Sequence, residues 1–97
     1  MNKIITDNLP GIKAICEKNH ILYLGLFGSY ARGEESDDSD VDFVVDLPPT
    51  LSLLDVVGIQ LEFEDLLHKK IDLTERDTIK QRLKPFILNE IEEIYSK

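Results

Sequence analysis

Ninety-seven residues at 11.1 kDa fit one domain, residues 1–97, and leave no room for separate catalytic and recognition domains. Composition (42% apolar, 31% charged) is that of a soluble globular chain; no apolar run approaches a membrane span, no signal-peptide core opens the sequence, and a lone Cys16 excludes a disulfide-stapled scaffold, so a cytoplasmic location is expected. The net charge of −8 is unevenly spread, with 11 acidic and no basic residues in 34–67, which argues against broad nucleic-acid binding and suits divalent cations or a basic protein partner.

In chain order, Asn8 to Lys18 has Leu9, Ile12, Ile15 and Cys16 at helical spacing, and Asn19-His20 ends that helix. Ile21 to Phe27 is apolar on both faces, as a central buried strand is, and Gly28 terminates it. Ser29 is placed to cap a short helix running to about Gly33, before the exposed loop EESDDS. Asp40 to Asp46 alternates, with Val41, Phe43 and Val45 on one face and Asp40, Asp42, Val44 and Asp46 on the other. After Pro48-Pro49, Thr50 or Ser52 opens a helix to about Leu67, and Ser52 with Asp55 forms a capping-box pattern. Leu53, Leu54, Val56, Val57, Leu61, Phe63 and Leu67 give that helix a broad apolar side. Lys70 to Thr74 reads as a strand with Asp72 opposite Ile71 and Leu73, and Arg82 to Tyr95 as a closing helix with Phe86, Ile87, Ile91 and Ile94 inward. This alternation predicts an α/β (α+β) fold in which a short mixed sheet carries helices on one face.

The chemistry-bearing residues gather in Gly28-Ser29-Tyr30-Ala31-Arg32-Gly33 and, after a short loop, Asp40-Val41-Asp42. Residues two apart on a strand lie about 6.6 Å apart and leave on the same face, so Asp40 and Asp42 can converge on a cation. Hard oxygen donors with open coordination positions favour Mg²⁺ or Mn²⁺, a substrate phosphate completing the shell. Gly28, without a Cβ, and Ser29, with a hydroxyl, stand where a strand meets a helix start, a place suited to phosphate. Arg32, one turn on, can contact phosphate or pin the acidic loop. Asp72 leaves its strand as Asp40 and Asp42 leave theirs; it can complete the metal site and take the proton from an attacking hydroxyl. A calcium loop starting at Asp38 is excluded by Phe43 at the glycine position and Pro49 at the twelfth. The sequence lacks a Walker lysine motif, and His20, His68 and Cys16 lack ligand partners.

With these residues in place, the chain resembles the minimal nucleotidyltransferases of the polymerase-β-like superfamily. LFGSYARGEESDDSDVDFVVD is similar to their glycine-serine and paired-aspartate signature; LLDVVGIQLEFEDLLHKKIDLTE and LKPFILNEIEEIYSK are similar to the third-aspartate strand region and the closing helix. The resemblance implies triphosphate binding by Gly28 and Ser29, metal ligation by Asp40 and Asp42, and Asp72 as third catalytic acid. His68 stands where relatives often carry Gly, which bears on the turn rather than the chemistry. The resemblance further implies a HEPN-family toxin as partner, neutralised through transfer of AMP from ATP to one of its tyrosines. Binding-only neutralisation, or transfer to a small molecule of the aminoglycoside type, are the alternatives.

Overall fold

The computed structural model describes residues 2–78 and 90–97. Its elements are α1 (Lys3–Asp7), α2 (Leu9–Lys18), β1 (Tyr23–Phe27), α3 (Gly28–Arg32), β2 (Val41–Asp46), α4 (Leu53–Leu67), β3 (Ile71–Glu75) and β4 (Glu92–Ser96). The strands form one mixed sheet in the order β3-β2-β1-β4, with β1 antiparallel to both neighbours and β2 parallel to β3. The expected mixed sheet with packed helices is therefore present.

Alternation along the strands decides which face is dry. Leu24, Leu26, Val41, Phe43, Val45 and Ile71 meet Ile5 of α1, Ile12 and Cys16 of α2, and Ile59, Phe63 and Leu67 of α4 in one buried cluster. Each such side chain contributes roughly 1.5–3 kcal/mol by leaving water. Phe43 and Phe63 join sheet to helix with ring centroids 5.0 Å apart and planes at 59°. The opposite face carries Asp42, Asp46 and Asp72.

Helix α4 starts at the expected capping box: Asp55 N–H donates to Ser52 Oγ at 3.2 Å, and Ser52 N–H to Asp55 Oδ2 at 2.9 Å. It ends at His68, whose φ of 54° puts a non-glycine residue in the left-handed region. Edge strand β3 is tied to α4 by side chains. Gln60 Nε2 donates to the Ile71 carbonyl at 2.7 Å, and Ile71 N–H donates to Glu64 Oε2 at 3.1 Å, so both outward backbone groups of Ile71 are satisfied.

Four expectations need correction. Glu92–Ser96 is a strand, not the end of a helix, because the free edge of β1 pairs with it; Ile94 is buried as expected, but from a strand, while Phe86 and Ile87 lie outside the described residues. The broad apolar side of α4 is only partly used: Ile59, Phe63 and Leu67 face the sheet, whereas Leu53, Leu54, Val57 and Leu61 are exposed. A sheet face can bury only one stripe of a helix. Ser29 does not cap α3. The N-cap residue is Phe27, no side chain caps the helix, and Ser29 lies within it. Helix α1 was not expected; it starts where Asn2 Oδ1 accepts from Ile4 N–H at 2.7 Å. Among the described residues no helix is long and apolar enough to cross a membrane.

Candidate active site

The register of three strands builds the site. Phe27 at the end of β1 lies opposite Asp42 of β2, and Asp42 lies beside Asp72 of β3 in the parallel pair. Aligned residues of neighbouring strands share a face, so Asp42 and Asp72 project together from the face opposite the core. The chain then turns through Gly28, whose φ is +71°, into α3. A Cβ on Gly28 would lie 2.5 Å from Asp42 Oδ2, so the carboxylate rests directly over the glycine.

Electrostatics follow from that crowding. Burial first, then the neighbouring carboxylates of Asp72 and Asp40, push the Asp42 carboxyl above its usual range, and Arg32 pulls it partly back. Asp40 is exposed and sits one residue before β2. It follows a tight turn in which Ser36 N–H donates to Ser39 Oγ at 2.9 Å and Ser39 N–H to the Ser36 carbonyl at 3.0 Å. Lys69 Nζ, donating to the Asp37 carbonyl at 2.6 Å, holds that loop to the approach of β3.

Arg32 ends α3. Its Nε lies 3.2 Å from Glu34 Oε2, and a terminal nitrogen 3.5 Å from Glu90 Oε2. Arg32 thus pairs with Glu34 at the start of the acidic loop and with Glu90, a partner that sequence spacing does not suggest. Ser29 is half-buried in the first turn of α3, and its carbonyl accepts from Glu34 N–H at 2.9 Å. With no side-chain cap, the first N–H groups of α3 have no partner within the helix.

The donor chemistry fits a hard divalent cation: Asp42 is a carboxylate whose charge is opposed by burial and by two like charges, and a bound cation would offset that cost. Among the described residues no group of three acidic, His or Cys side chains is close enough to hold an ion by itself. Mg²⁺ is commonly held by one or two carboxylates with substrate phosphates and water.

The polymerase beta nucleotidyltransferase family profile matches residues 11–97, which takes in every residue of this site. The chain belongs to that family. Within it, the chain is 35% identical over 79 residues to the protein adenylyltransferase MntA of Thermococcus cleftensis, covering 81% of this chain and 80% of that protein. Among solved structures it is similar to a minimal nucleotidyltransferase (28% identity, TM-score 0.77, 94% of this chain and 91% of the other). It shares its fold with a complex of a tri-AMPylated Shewanella oneidensis HEPN toxin and its MNT antitoxin (18% identity, TM-score 0.69, covering 95% of this chain and 72% of that chain). The domain is therefore a nucleotidyltransferase.

Proposed function

We propose that this chain is a cytoplasmic protein adenylyltransferase that transfers AMP from ATP to a tyrosine hydroxyl of a HEPN-family toxin and thereby acts as its antitoxin. The observation that carries the reading is the alignment of Asp42 with Asp72 beside the Cβ-less Gly28, in a chain related to MntA.

Gly28 and Ser29 receive the triphosphate at the start of α3, and Arg32 steadies its phosphates. Asp40 and Asp42 would hold Mg²⁺, with Mn²⁺ as substitute, and the ion would supply charge neutralisation on the phosphates. Asp72 accepts the proton of the attacking hydroxyl. That oxygen bonds to the α-phosphorus as the bond to the bridging oxygen of the β-phosphate breaks, and pyrophosphate departs.

The test combines the HEPN protein, labelled ATP and Mg²⁺ with wild type or Asp72→Asn. Expected are AMP-sized mass gains on the partner and loss of its toxicity with wild type only. Equal neutralisation by both proteins without a mass gain would select the binding-only reading; transfer to an aminoglycoside but not the protein would select the small-molecule one.

A further inference from the structure

Leu53 and Leu54 of α4 are 79% and 83% exposed, and Val57 and Leu61 are also exposed. Leu54, Val57 and Leu61 follow the i, i+3, i+7 spacing of a helix–helix seam, on the side of α4 turned away from Ile59, Phe63 and Leu67. This is a second apolar face on a helix whose first face already fills the core.

Gly58 lies on that outward side. Glycine inside a helix is unfavourable relative to alanine, and nothing among the described residues requires it: a Cβ at position 58 would meet none of their atoms within 4 Å, and the residue is not at positive φ. Beside it, a groove of about 330 Å³ is lined by Leu54, Asp55, Gly58 and Glu62 of α4 and, across from them, by Lys18 and His20 at the end of α2. A missing Cβ between two exposed leucines permits close approach of another backbone.

The charge around the face chooses among occupants. Asp55, Glu62 and Asp65 flank it; Lys18, which lines the groove, offsets Glu62 at 2.7 Å, and Asp55 and Asp65 leave the rim net acidic. A second copy would bring the same carboxylates against themselves in a chain of net charge −8. A helix with an apolar stripe edged by Lys or Arg meets both the leucines and the acidic rim.

We infer that the Leu54–Val57–Leu61 face of α4, with Gly58 at its centre, is the docking surface for a basic amphipathic helix of the protein partner. The inference rests on the proposed function for the partner's identity. Because α4 covers one face of the sheet and Asp42 and Asp72 project from the other, docking leaves the acids open. The modified hydroxyl then belongs to a second partner molecule or to a segment long enough to reach around the domain.

The test measures binding of the HEPN protein by calorimetry to wild type, Leu54→Glu, Gly58→Leu and Asp42→Asn, with thermal melts and oligomeric state recorded for each protein alone. Expected are at least a tenfold rise in Kd for Leu54→Glu and Gly58→Leu, no loss of melting temperature in Gly58→Leu, and wild-type affinity in Asp42→Asn. Association with wild type should slow as salt rises. Unchanged Kd in both face variants would overturn the docking surface while leaving the proposed function intact. Failure of the HEPN protein to bind wild type would overturn both, and self-association of wild type that the face variants abolish would assign the surface to a second copy instead.

Discussion

Gly28 and Asp42 occupy each other's space: the position a Cβ would take on the glycine is 2.5 Å from Asp42 Oδ2, at a residue whose φ is +71°. Glycine at the end of β1 therefore has a role within the chain itself. It makes room for the carboxylate itself and supplies the left-handed turn that starts α3.

Gly28→Ala should accordingly affect chemistry beyond its effect on stability. The left-handed conformation costs a non-glycine residue about 1–2 kcal/mol, and the new methyl would also turn the Asp42 carboxylate away from Asp72. Steady-state AMP transfer should fall at least tenfold in a protein that retains its circular dichroism spectrum. Full activity in folded Gly28→Ala would show that the carboxylate position is not set by this contact.

The raised Asp42 pKa makes stability depend on pH with a defined sign. Burial, Asp72 and Asp40 favour the protonated form in the folded state, so ionised Asp42 opposes folding at neutral pH. That cost disappears as pH falls from the folded pKa to the ordinary carboxylate value near 4. Asp42→Asn should thus melt at a higher temperature than wild type at pH 7 without divalent metal, and the gap should close on acidification through that window. Adding Mg²⁺ should raise the wild-type melting temperature more than that of the variant.

Cys16 is wholly buried, and burial, with Glu17 adding to it, pushes its thiol up to about 12. The reactive thiolate is absent at pH 8, and access requires unfolding. Native protein should resist iodoacetamide for hours and react in urea with the same midpoint as the loss of helical signal. Rapid alkylation of the native protein would mean that the α2 side of the core opens locally.

His68 caps α4 with φ 54° and donates its N–H to the Glu64 carbonyl at 2.8 Å. Glycine takes that conformation without steric cost, so His68→Gly should stabilise by about 1 kcal/mol, reduced by the added freedom of the unfolded chain. Chemical denaturation should show a higher midpoint at unchanged slope, with AMP transfer unaltered.

Much of this arrangement was legible in the sequence because its signals are local. The alternation of Val41, Phe43 and Val45 against Asp42 sets the face of β2 whatever β2 pairs with, and the Ser52–Asp55 box fixes the start of α4 through bonds spanning three residues. The glycine-serine and paired-aspartate spacing points to nucleotidyl transfer, the activity of the family to which the chain belongs.

Pairing between distant segments was not legible. Helical spacing in Arg82 to Tyr95 suited a helix, yet residues 92–96 lie along β1 with an irregularity between Leu24 and Gly25, since the open edge of a central strand rewards any segment that supplies its hydrogen bonds. Nor does a list of apolar residues say which face of α4 is buried; the sheet has width for Ile59, Phe63 and Leu67 alone, leaving Leu54 and Leu61 outside. Asp42 and Asp72 stand thirty residues apart in the chain, and each has a fixed facing from its own strand. Only the parallel register of β2 and β3 makes them neighbours, because strand pairing is a long-range choice that alternation within one strand leaves open.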